Sequence, residues 1–84
     1  MNRFSQDPSP VTPGKSVKIC YDFDNVSITS ATATPSWDPT GLQPASLSFS
    51  KEEPCVTFTV PANCQGCIIV DDTGYSEDFA LDLI

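Results

Sequence analysis

Ser16-Val17-Lys18-Ile19-Cys20-Tyr21-Asp22-Phe23-Asp24 is the stretch that decides the fold. Val17, Ile19, Tyr21 and Phe23 fall on one face of an extended chain, and Lys18, Cys20, Asp22 and Asp24 fall on the other. Strict period-two alternation of this kind marks a half-buried β-strand. Working outward, Ala45 to Ser50 alternates again, with Leu47 and Phe49 inward and serines outward. Cys55 to Val60 sets Val56, Phe58 and Val60 against Cys55, Thr57 and Thr59. A weaker strand is expected from Val26 to Thr34, followed by a loop over Pro35-Ser36-Trp37-Asp38-Pro39-Thr40-Gly41, where prolines and glycine suit turns. Cys67 to Val70 is apolar but too short to phase, and Asp71-Asp72-Thr73-Gly74 turns the chain. Ser76 to Ile84 closes with Phe79, Leu81 and Leu83 inward. No window repeats apolar residues at helical spacing, and prolines interrupt throughout. The expectation is an all-β antiparallel sandwich of about six or seven short strands, with an OB-type barrel as the structural alternative.

At 84 residues the chain makes one domain, and so short a chain buries only about 60% of its unfolded surface. Four cysteines, an even number, answer that shortage if they pair in an oxidising compartment. The sequon Asn25-Val26-Ser27 points the same way and makes Asn25 a glycosylation candidate. The expected localisation is therefore secreted or extracellular, with any signal peptide already removed, because no apolar run near the start could serve as one. No stretch approaches the apolar length needed to span a bilayer. Net charge is −7, with only Arg3, Lys15, Lys18 and Lys51 basic, so nucleic acid and anionic membranes are disfavoured partners. Residues 1–12, polar and carrying Pro8 and Pro10, read as a flexible tail leading into an edge strand, and 13–84 as the domain.

Pro13-Gly14-Lys15-Ser16-Val17 leading into an alternating strand, then Val60-Pro61-Ala62, and the closing pattern V-D-D-x-G-x-S-x-D-F-x-L over residues 70–81 resemble the immunoglobulin-like domains of secreted fungal and bacterial surface proteins. Among these, the chain resembles in particular the Ig-like module of Ser/Thr-rich fungal cell-wall proteins. The resemblance spans roughly residues 8–84 and consists of turn and core positions. It implies an immunoglobulin-like fold and an extracellular setting, and transfers no functional residue. Those modules often lack cysteines, so the four here depart from the pattern.

In such a sandwich, Cys20 and Cys55 would lie on neighbouring strands of one sheet. Both sit on the outward phase, which favours a Cys20–Cys55 brace closing a loop of about 35 residues, worth about 3–4 kcal/mol in the chain-entropy model. A Cys20–Cys67 bridge between sheets is the competing connectivity and would require Cys20 to face the core. Cys64-Gln65-Gly66-Cys67 is a C-x-x-C without a helix to depress a thiol pKa, so a local Cys64–Cys67 clip is preferred over redox chemistry. A zinc site would need a second such knuckle.

Histidine is absent, which removes the commonest general base, and no G-x-S-x-G elbow occurs. A paired-carboxylate glycosidase would need a cleft that so small a sandwich scarcely provides. No catalysis and no cofactor is expected. Asp71, Asp72 and Asp78 are candidate calcium ligands, although Asp71-Asp72-Thr73-Gly74 also reads as a solvated hairpin turn. Trp37 reads either as a core residue or, between two prolines, as an exposed binding aromatic. The expected function is a secreted, non-catalytic module binding a cell-surface or cell-wall glycan or protein through end loops, with Trp37, Asp38, Asp72 and Tyr75 as contact residues. The alternatives are a secreted effector or inhibitor acting through Pro39 to Pro44, or a calcium-stabilised structural module. Oligomeric state is not legible.

Overall fold

The computed structural model describes residues 1–84. It is all-β, with β1 (Phe4–Asp7), β2 (Ser16–Tyr21), β3 (Ser30–Asp38), β4 (Leu47–Ser50), β5 (Cys55–Thr59), β6 (Gly66–Asp71) and β7 (Phe79–Ala80). Two antiparallel sheets face each other, a three-stranded one ordered β1-β2-β5 and a four-stranded one ordered β4-β3-β6-β7. Val17, Ile19 and Tyr21 point into the core from β2, as the alternation requires, and Ala31, Ala33 and Trp37 meet them from β3. Ile19 and Ile69, one from each sheet, are fully buried, and each contributes about 1.5–3 kcal/mol by leaving water. Phe4, Tyr21, Phe23 and Phe49 form an aromatic cluster at one end, with the Phe4 and Tyr21 rings 5.2 Å apart and edge-on.

Two readings of the sequence need correction. Residues 1–12 are not a flexible tail. Phe4 pairs with Tyr21 on the edge of the three-stranded sheet and is buried in the core. Val11 is buried too and bridges Leu83 in parallel, with Val11 N–H donating to Asp82 and Ile84 N–H donating to Val11. Gln6 closes the same seam, donating to the Asp82 carbonyl and accepting from the Asp82 N–H, both at 2.8 Å. The prolines of this segment lie outside the paired residues, which is why they coexist with a strand.

The second correction concerns residues 35–38, which continue β3 instead of forming a loop. β4 pairs with β3 only over Ser30–Ala33, so beyond that point one side of β3 has no neighbour. The Asp72 N–H donates to Thr32 O, and bonded positions alternate along an antiparallel ladder. Pro35, three residues on, therefore faces away from β6, toward the side β4 has left. Its missing N–H costs no ladder bond.

Cys20 and Cys55 are cross-strand partners on β2 and β5, joined by a disulfide with a Cα–Cα separation of 4.0 Å. The flanking bond from Tyr21 N–H to Pro54 O marks the cysteines as a non-hydrogen-bonded pair, the position where antiparallel Cα atoms come closest. Cys64 and Cys67 form the second disulfide, and Cys67 lies opposite Trp37 in the β3–β6 register. No cysteine is free, and two disulfides in so short a chain point to an oxidising environment. No helix is long and apolar enough to cross a membrane.

Candidate functional site

The outward face of the four-stranded sheet is built by the same alternation that fills the core. Thr32, Thr34, Ser36 and Asp38 project outward from β3 while Ala31, Ala33, Pro35 and Trp37 project inward. Ser36 lies opposite Ile68, and Thr34 opposite Val70. Ile68 is 38% exposed, large for an isoleucine inside a strand, and lies opposite Ala80 of β7. Beside this strip the chain after β3 rises into a wall at Thr40 and Gly41. Thr34, Ser36, Thr40, Gly41 and Val70 bound a groove of about 400 Å³, with Pro35 and Trp37 also in its lining and Ile68 outside it. Its lining combines short hydroxyls with an apolar floor. Gly41 has φ +86 with nothing near the position of a Cβ, so it holds the turn that raises the wall.

The residues expected to form one binding site do not come together. Asp38 lies opposite Gly66, whereas Asp71, the residue before Asp72, lies opposite Ala33. Trp37-Asp38 and Asp72-to-Tyr75 thus sit at opposite ends of the β3–β6 pair, about 17 Å apart at strand rise. Trp37 is only 6% exposed, its Nε1 donates to Pro44 O at 2.7 Å, and its ring packs near Phe58. It is a core residue whose hydrogen bond anchors the loop after β3, and so little of it is exposed where it lines the groove that it forms no open platform. Asp38 and Tyr75 are exposed, each at its own end of the sheet. Asp72 is exposed and accepts from Thr34 Oγ1 at 3.0 and 3.1 Å, at the far end of the groove.

The calcium candidates separate for the same reason. Asp71 and Asp72 are consecutive, so one faces the core and the other solvent. Asp71 is buried, and its carboxylate is already filled. Thr73 N–H and Oγ1–H donate to Oδ1 at 2.8 and 2.6 Å, while Tyr21 O–H and Ser76 N–H donate to Oδ2 at 2.8 and 2.9 Å. Asp78 is exposed beyond the turn. No three acids converge on a common point.

The Tyr21–Asp71 bond joins β2 of one sheet to β6 of the other inside the core. Burial pulls the Asp71 pKa upward, but the hydrogen bonds from Thr73, Tyr21 and Ser76 outweigh it, and the group lies below its ordinary 3.8. Burial pushes the Tyr21 phenol above its ordinary 10.0, with the bond to Thr73 opposing and the Asp71 charge assisting. Sequence reasoning missed this tie, although the first of the two acids ending the apolar run Cys67-Ile68-Ile69-Val70, placed in phase with the buried Ile69, was the available signal. It also missed Ile68 and Val70 as surface residues. With apolar side chains on both faces of β6, alternation could not phase it.

Comparison with protein-family models, with curated proteins and with solved structures finds no match for this chain.

Proposed function

We propose that this is an extracellular, non-catalytic recognition module of immunoglobulin-like design whose partner is a protein, engaged by the outer face of the four-stranded sheet. The observation that carries this reading is the exposed Ile68 and half-buried Val70 on the outer face of β6, next to the groove bounded by Thr34, Ser36, Thr40 and Gly41. An apolar centre with a polar rim is the general anatomy of a protein interface. Glycan recognition relies on an aromatic platform; of the two aromatic residues offered for it, Trp37 is buried and the exposed Tyr75 lies at the other end of the sheet from the groove wall. Of the two partner classes expected from the sequence, the geometry therefore favours protein. The immunoglobulin-like reading draws support from the cross-sheet order of the strands. It differs from the constant-type arrangement in that the fourth strand joins the third instead of the fifth.

The effector or inhibitor reading keeps one supporting observation. The loop from Pro39 to Pro44 is pinned at Leu42, which packs on the core, and at Pro44, leaving Thr40 and Gly41 as its projecting tip. Such a tip is preorganised for insertion into a partner. The test is a paired screen of the disulfide-bonded protein against extracellular protein ectodomains and against glycans, run with wild type, Ile68→Arg and a Thr40-Gly41 replacement. Protein ligands lost with Ile68→Arg support the sheet face. Ligands lost only with the Thr40-Gly41 replacement support the loop, and glycan ligands alone overturn both.

A further inference from the structure

We infer that Asn25 is an N-glycan acceptor, and that the glycan projects from the end of the sandwich opposite the groove wall. Asn25-Val26-Ser27 is the one N-x-S/T triplet in the chain, since Asn2 and Asn63 are followed two residues on by Phe4 and Gln65. In the folded protein both recognition residues of the triplet are exposed, and Val26 between them is half-buried against the core. The triplet thus sits on a turn fixed from beneath with its acceptor facing water.

The hydrogen bonds of this turn leave the Asn25 amide unused. Arg3 Nη1 donates to Asp22 O at 3.1 Å and to Asp24 O at 2.8 Å, and Asp24 N–H donates to Asp22 Oδ1 at 2.8 Å. Replacing an amide hydrogen of Asn25 by a sugar therefore breaks no bond of the fold. The backbone at Asn25 has φ +63, a conformation that asparagine and glycine tolerate, and this alone accounts for the residue type. It does not account for an exposed serine two residues later. The disulfide pairs place the chain in the oxidising compartment where N-glycans are added in eukaryotic cells.

The position has a consequence for the rest of the surface. Asn25 precedes β3, whereas Thr40 and Gly41 follow it, so the length of a nine-residue strand separates the acceptor from the groove wall. That length is about 27 Å. The glycan would cover the turn beside Asp22 and Asp24 and leave the sheet face open. This inference stands apart from the proposed protein partner, because its readout is mass and not binding.

The experiment is secretion of the whole chain from a eukaryotic cell, followed by intact mass and peptide mapping before and after peptide-N-glycosidase. Wild type is expected to carry a glycan that the enzyme removes, converting residue 25 to aspartate. Ser27→Ala keeps Asn25 and its turn, and Asn25→Gly keeps the left-handed backbone, and both should be secreted folded at the unmodified mass. Wild type emerging folded at its unmodified mass would overturn the inference. So would modification that survives Ser27→Ala.

Discussion

Removing the negative charge of Asp71 should destabilise the fold more than any substitution of an exposed acid. Asp71→Asn keeps the size of the side chain but replaces an accepting oxygen with a donating NH2. Tyr21 O–H and Ser76 N–H both donate to one carboxylate oxygen, Thr73 N–H and Oγ1–H to the other, so either orientation of the amide orphans one backbone N–H and forces one hydroxyl to turn and accept instead of donate. Bonds to a charged acceptor are worth about 1.5–3 kcal/mol each, and an orphaned buried donor costs a similar amount. Allowing for relaxation, Asp71→Asn should cost about 2–3 kcal/mol. In a domain of this size that lowers Tm by about 8–24 °C. Tyr21→Phe removes one of the donors and should cost about 1–2 kcal/mol. The double variant should cost less than the sum, because both substitutions break the same bond. The assay is urea and thermal unfolding under non-reducing conditions, followed by the fluorescence of the single buried tryptophan, Trp37. An Asp71→Asn variant within about 0.5 kcal/mol of wild type, the range of ordinary surface substitutions, would refute the reasoning.

The same network sets the response to pH. Asp71 has a folded pKa below its unfolded one, so its contribution is present above the unfolded value and is lost as pH falls through the carboxylate range toward the folded pKa. Tyr21 has a folded pKa above 10.0, so its contribution is present below that value and fades as pH rises through the folded pKa. Urea midpoints should therefore fall at both extremes, with the acid limb shallower in Asp71→Asn. Replacing Cys20 and Cys55 together by serine should cost about 3–4 kcal/mol, whereas the three-residue Cys64–Cys67 loop should yield only about 1–2 kcal/mol of chain entropy, both measurable by denaturant titration. Phe4→Ala should cost about 3–4 kcal/mol, the figure for a core aromatic and not for a tail residue, in the same titration.

What was legible in the sequence was whatever period two could express. β2, β4 and β5 each pair an apolar face with a polar one, so alternation located them and assigned the outward phase of Cys20 and Cys55. β1 escaped because four residues flanked by proline carry too little pattern, although Phe4 anchors the aromatic cluster. The second half of β3 escaped because Pro35 signals a break, and its harmlessness depends on where β4 stops pairing, which no local rule contains. The candidate site escaped for a related reason. Its exposed apolar side chains, Ile68 and Val70, lie on the outer face of β6, and a strand apolar on both faces resembles a fully buried one. Only the arrangement of the two sheets shows that Ile68 is left partly open to solvent.

The most direct measurement is the Kd of the folded, disulfide-bonded protein for an ectodomain recovered in the paired screen, compared between wild type and Ile68→Arg. A charge placed in the centre of a desolvated contact should weaken binding at least tenfold, about 1.4 kcal/mol or more, with Tm unchanged. Affinities equal within twofold would contradict recognition through the sheet face.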